Sequence, residues 1–290
     1  MSRVFANPLT ELIEFEDLNR DLERGKGPLQ VSGCMDSQKV HLMEETGADV
    51  PWKLVVTYDA GRAKEIYEDF LCFRQDVWLY PAKDLLFFNA DIHGNLLTRQ
   101  RLQVLRHLME DASGVVVTTL DGLMDHLLPL ARLRSQVLTV RTGQELDLGV
   151  WKERLVELGY ERNGQVDGMG QFSIRGGILD IFPLTEEAPI RIELWDTEVD
   201  SIRTFDLESQ RSIEQMDEAV IYPAAEIVLT SSQKLRGVEL LRREEKAFSE
   251  KLRKEGKTEE AYRISGIIRE LTEAIEEGWP LSGPAGCPTY

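Results

Sequence analysis

From Gln171 to Ser212 the chain reads QFSIRGGILDIFPLTEEAPIRIELWDTEVDSIRTFDLESQRS, and its apolar residues recur at alternate positions. That period dictates strands with one buried and one open face. In Ile190-Arg191-Ile192-Glu193-Leu194-Trp195 the side chains of Ile190, Ile192 and Leu194 fall on one side and those of Arg191, Glu193 and Trp195 on the other. The run Gln171-Phe172-Ser173-Ile174-Arg175 sorts the same way, with Phe172 and Ile174 inward and Arg175 outward. Gly176-Gly177 then interrupts the pattern, as at a β-bulge or a close backbone approach. If the two runs pair as neighbouring strands, Arg175, Arg191 and Trp195 share one exposed surface. Arg and Trp are enriched at binding hot spots, each worth roughly 2 kcal/mol or more when central. The surface reads as a docking face; the plainer alternative is a solvated sheet face with an Arg-Glu pair and one stray Trp.

The rest of the chain has the material for packed cores. It has 290 residues, 42% of them hydrophobic, which is enough for two domains. A formal charge of -17 argues against a wide nucleic-acid footprint, which needs dense Lys and Arg. Cys34, Cys72 and Cys287 form no CxxC, and His41, His93, His107 and His126 have no metal-ligand spacing. Reduced thiols and no metal site are expected. No apolar run has the length of a signal peptide or a membrane span, so a cytoplasmic location is expected.

Before the alternating block the pattern differs. Helical spacing from Leu9 to Leu22 ends at Gly25-Lys26-Gly27-Pro28. Strands are predicted at Leu29–Ser32, Leu54–Tyr58, Val77–Tyr80 and Gly114–Thr119, and helices at Arg62–Phe70, Leu96–Met109 and Leu123–Leu130. Continuous apolar strands separated by helices imply a parallel sheet covered on both sides. Near Ser135 the style changes to α+β: a strand at Val137–Val140, a helix from Val150 to Leu158, the alternating block, and a strand at Ala219–Tyr222. Beyond it, Lys246 to Glu260 reads as a solvated helical hairpin turning at Gly256-Lys257-Thr258. Its basic residues, Arg236, Arg242, Arg243, Lys246, Lys251, Arg253, Lys254 and Lys257, are interleaved with glutamates, and helical i,i+4 pairing accounts for them better than DNA contact.

Val31 to Val40 occupies the place of a P-loop, G-x-x-x-x-G-K-[ST], but matches it poorly. Gly33 and Lys39 hold their positions, whereas Gln38 replaces the second glycine and Val40 the hydroxyl that would ligate Mg²⁺. A side chain at Gln38 obstructs the wrap of N–H groups around phosphate, and Asp36 adds charge to a loop meant for anions. No strand ending in paired acids supplies a Walker B group; Asp121 is the nearest approach and reads as a helix N-cap. No Gly-x-Ser-x-Gly, HExxH or Cys–His frame is present. No catalytic residue is assigned.

Three quoted stretches carry a family resemblance: Gly159-Tyr160-Glu-Arg-Asn-Gly-Gln-Val, Gly170 to Pro183, and Ile190 to Trp195 with Asp200 to Ser212. They resemble the bacterial transcription-repair coupling factor (Mfd) family, in its N-terminal module, which is similar to the excision-repair protein UvrB without a working ATPase. The resemblance runs from near Thr10 to near Ile275. It implies an α/β chain: a degenerate RecA-like, P-loop NTPase-like parallel-sheet domain with an inserted α+β domain. The first half would span residues 1–136, the inserted UvrA-interaction domain 137–222, and an incomplete second half 223–290. UvrB's DNA-gripping β-hairpin is absent from the family module.

The resemblance also implies a partner, UvrA, contacted through Arg175, Arg191 and Trp195, the last at a position where the family is associated with Phe. Full-length members continue into an RNA-polymerase-binding domain and a translocase motor that uses ATP and Mg. The chain is therefore expected to be an N-terminal fragment or a truncated homologue, non-enzymatic and without a cofactor of its own. RNA polymerase and DNA would be reached only through the absent domains. Two other readings stay open: an ATP-dependent DNA-processing enzyme of the UvrB kind, and an autoinhibitory module packed on the protein's own missing C-terminal motor.

Overall fold

In a computed structural model, residues 9, 11–47, 49–83, 91–125 and 127–276 are described, without the side chains of 91–95. Cys287, His126 and the end of the chain from residue 277 lie outside them. The chain folds into two compact units, one of residues 1–83 and 107–126, the other of residues 84–106 and 127–290. The architecture is mixed α/β with a parallel sheet and helices.

In the first unit, helix α1 (Ile13–Glu23) and helix α2 (Asp36–Glu45) precede β1 (Trp52–Thr57), α3 (Ala60–Leu71), β2 (Val77–Tyr80), β3 (Gly114–Thr119) and α5 (Leu120–Met124). Helix α4 (Asp91–Glu110) lies between β2 and β3 in the chain, and belongs to the other unit through Arg106. The three strands are parallel in the order β1-β3-β2. β3 is central, which is why Gly114 to Thr119 is buried on both faces and reads as an unbroken apolar run. α3 starts because the Asp59 carboxylate accepts the Arg62 N–H at 2.8 Å. Its Ala63, Ile66 and Phe70 then meet Val77, Val115 and Val117 in one core with Val40 of α2. Trp52, Trp78 and His107 stack in series, and a Cβ at Gly114 would lie 2.1 Å from Trp78, so only glycine fits beneath those rings.

Several expectations need correction here. Leu29–Ser32 is not a strand: it pairs with nothing among the described residues and is exposed. β1 is an edge strand rather than a buried one, and Leu54 and Val56 are exposed. The helix expected from Leu123 to Leu130 is replaced by α5 and a separate α6 (Leu130–Arg134), which begins after Pro129. α5 is capped by Thr119, whose hydroxyl accepts the Gly122 N–H, and Asp121 sits in its first turn.

In the second unit a six-stranded sheet has the order β10-β9-β8-β7-β6-β5. Its strands are β5 (Glu161–Arg162), β6 (Gln171–Arg175), β7 (Ile178–Ile181), β8 (Ile190–Trp195), β9 (Glu198–Phe205) and β10 (Ser212–Met216). β4 (Leu138–Arg141) and β11 (Glu218–Ile221) form a separate antiparallel pair. Helix α7 (Leu148–Glu157) is capped by Asp147, which accepts from the Gly149 and Val150 N–H groups. Phe172, Leu179, Ile181, Ile192 and Ile202 are fully buried, so the alternation of the sequence has its inner face here.

Helices α8 (Ser231–Lys254) and α9 (Thr258–Glu276) form the hairpin, turning at Gly256 with φ +79°. Arg242 pairs with Glu276 of α9 at 2.9 Å, a link between the helices rather than the i,i+4 pairing expected along one of them. Among the described residues no helix is long and apolar enough to cross a membrane.

Candidate docking face

β6 and β8 are not neighbours. β7 lies between them, and Gly176-Gly177 is the two-residue turn of the β6–β7 hairpin, with Arg175 opposite Ile178. The expected bulge sits elsewhere, at Glu193/Leu194 where β8 slips against β9. The close backbone approach is real at the second glycine: a Cβ on Gly177 would lie 2.9 Å from the Leu194 carbonyl oxygen, and Leu194 donates its N–H to the Gly177 carbonyl at 2.8 Å.

Inserting β7 changes what the outer face is made of. Asp180 faces Ser173 on one side and Arg191 on the other, and Arg191 faces Arg203. Side chains directly opposite in an antiparallel ladder share a face. One row is therefore Ser173, Asp180, Arg191 and Arg203, and the next is Arg175, Ile178, Glu193 and Ser201. Trp195 lies two positions further along β8, opposite Glu198 at the hairpin end.

Asp180 organises the two rows. Its side chain is 1% exposed and both oxygens are used. Arg191 donates Nε to Oδ1 at 2.7 Å and Nη2 to Oδ2 at 2.9 Å, a bidentate pair, while Arg175 donates Nη2 to Oδ2 at 2.8 Å. Arg191 also donates from Nη2 to the Gln210 side-chain oxygen at 2.9 Å, and its guanidinium lies 4.3 Å from the centre of the Phe205 ring. Hydrogen bonding to Asp180, ahead of the opposing cost of burial, raises the Arg191 pKa above its ordinary value. Arg203 pairs with Glu193 in the neighbouring row.

Arg191 is thus not the free outward residue that alternation suggests, being only 13% exposed. Arg175 is 45% exposed and Trp195 82%. The structure brings Arg175 and Arg191 together on one carboxylate and leaves Trp195 open on the same strand as Arg191. Asp180 had one signal in the sequence, a lone carboxylate in the otherwise apolar run Ile178-Leu179-Asp180-Ile181. A charge is buried only when paired, so that run calls for a cation on each side. Gln210 had no signal, because its approach to Arg191 depends on the turn after β9.

The residues expected to form a degenerate P-loop have local duties. Gly33 has φ +86°, and among the described residues no strand precedes it. Gln38 accepts the Met35 N–H at 3.1 Å and so caps α2, Val40 is fully buried in the core, and Lys39 is exposed. Asp36 pairs with Arg62 at 3.5 Å.

Comparison with known proteins places this sheet. Residues 138–227 match the UvrB interaction domain family. The transcription-repair-coupling factor of Staphylococcus aureus (strain USA300) is 35% identical over 229 residues, which is 77% of this chain and 19% of that protein. The one from Bacillus subtilis (strain 168) is 36% identical over 237 residues, 80% of this chain and 20% of that protein. Over most of its length this chain is similar to transcription-repair-coupling factors, and within that length to the UvrB interaction domain. It spans about a fifth of the length of the curated relatives it matches. The sheet carrying Arg175, Asp180, Arg191 and Trp195 lies inside the span matched by the UvrB interaction domain.

Proposed function

We propose that this chain is the non-catalytic N-terminal module that recruits UvrA in transcription-coupled nucleotide excision repair, docking through Arg175, Arg191 and Trp195. The observation that carries the reading is the Asp180-centred pair of arginines beside an exposed tryptophan, on the part of the chain related to the UvrB interaction domain. Arg and Trp set in a fixed geometry on a sheet are the composition of a binding hot spot. RNA polymerase and DNA are then engaged by other parts of the coupling factor, and ATP and Mg serve its motor. The module works in the cytoplasm.

In this reading residues 1–136 are a degenerate RecA-like half, followed by the UvrA-interaction domain (137–222) and the start of a second half (223–290). Support for a non-catalytic role comes from Gln38, whose side chain is committed to capping α2, and from Val40, which packs in the core. A phosphate loop needs backbone N–H groups and a metal-ligating hydroxyl at those positions.

The test is a binding measurement with purified UvrA. The Arg175→Ala, Arg191→Ala double substitution is expected to weaken binding at least roughly thirtyfold, from about 2 kcal/mol at a central hot spot. Equal affinity of the parent and the double variant would remove the assignment.

A further inference from the structure

Gln210 is one of two non-glycine residues with positive φ among the described residues, at φ +57°. Side chains rarely adopt that left-handed conformation, and Asn, Asp and His, not Gln, are the types enriched in it. Such outliers collect where a site requires them. The turn from Asp206 to Arg211 holds Gln210 there: its N–H donates to the Asp206 carbonyl at 2.8 Å and its Nε2 to the Leu207 carbonyl at 2.8 Å. In that pose both its oxygens face Arg191, the side-chain oxygen at 2.9 Å from Nη2 and the carbonyl at 3.5 Å from Nη1.

With Asp180 on Nε and Nη2, every nitrogen of Arg191 is engaged. Arg175 donates one bond, to Asp180, and its side chain is nearly half exposed. We infer that Gln210 is a positioning residue for the docking face: it locks Arg191 on Asp180, so that the shared carboxylate aims Arg175 at a carboxylate or carbonyl of the partner. This rests on the UvrA-docking reading. A fork aimed in this way recognises a planar acceptor through two parallel bonds.

The variant Gln210→Gly separates positioning from stability, because glycine accepts the left-handed backbone without strain while removing the side-chain oxygen and amide. In the whole chain it is expected to melt near the parent temperature, because relief of the left-handed strain offsets the lost side-chain bonds, and yet to bind UvrA roughly tenfold more weakly, the low end for one hydrogen bond to a charged group. In an Arg175→Ala background Gln210→Gly should cost less affinity than it does in the parent, since the residue aimed through Asp180 is gone. Parent-like UvrA affinity for Gln210→Gly would overturn the inference, and so would a lowered melting temperature that accounts for the loss. Failure of the docking reading has a different signature, an Arg175→Ala, Arg191→Ala variant that binds UvrA like the parent.

Discussion

At the scale of single residues, Asp180 decides what the two arginines can be. A guanidinium on an open sheet face is mobile and its ion pairs contribute little. Two guanidiniums sharing one buried carboxylate are fixed relative to each other, and fixed geometry reduces the ordering cost of binding. Arg191, raised above its ordinary pKa, contributes stability that is fully present below the unfolded value and fades only as pH climbs through the higher folded one, so the pair is intact across the neutral range. Replacing Asp180 with Asn keeps the shape and removes the charge, leaving Arg191 largely buried beside Phe205 without a counter-ion. The expected cost is about 3 kcal/mol in urea unfolding at neutral pH, since breaking a buried pair strands its partner. A loss within about 0.5 kcal/mol, the usual range for surface changes, would show that Asp180 is not the organising charge.

At the scale of elements, the turn from Asp206 to Arg211 is the piece that closes the network, and it has its own pH dependence. The Asp206 carboxylate accepts the Ser209 backbone N–H at 2.8 Å and its hydroxyl at 2.7 Å, which lowers its pKa from the ordinary aspartate value. A lowered carboxylate stabilises the turn above the unfolded pKa, and the effect is lost as pH falls through the folded value. The Ser209 amide resonance is therefore expected to titrate below the ordinary aspartate range, and to stop titrating in Asp206→Asn. A midpoint at or above the ordinary value would mean that the turn is held by other bonds. The strands of this sheet were legible because alternation survives translation into structure: Gln171–Arg175 and Ile190–Trp195 have the bounds that the pattern predicts. The pairing was not legible. Period two says which side chains share a face within one strand but nothing about which strand lies beside it, so β7 and Asp180 were left out of the site. Leu29–Ser32 failed for a related reason, since an apolar pair beside Gly and Pro reads as a strand whether or not a ladder exists to receive it.

At the scale of the whole molecule, the second unit draws in a helix that its own sequence neighbourhood would assign to the first. α4 reaches that unit through Arg101, fully buried and joined to Glu226 by bonds of 2.7 and 2.9 Å. Arg106 adds a contact over the Tyr222 ring at 5.1 Å and a 2.8 Å pair with Glu186. The family match begins at residue 138, so α4 lies outside it although its arginine sits against the end of the matched span. A buried pair of this kind is weak evidence of net stabilisation, because desolvation offsets most of the attraction, but either ion alone is costly. It acts as a register pin: α4 seats correctly or the two buried charges lose each other. Arg101→Met is accordingly expected to lose about 3–5 kcal/mol in urea unfolding, and Glu226→Met a similar amount. The double variant should lose less than the sum of the two single losses, because neither side chain is left without the other. Strictly additive losses would show that the two side chains do not depend on each other, and the pinning role of α4 would fall.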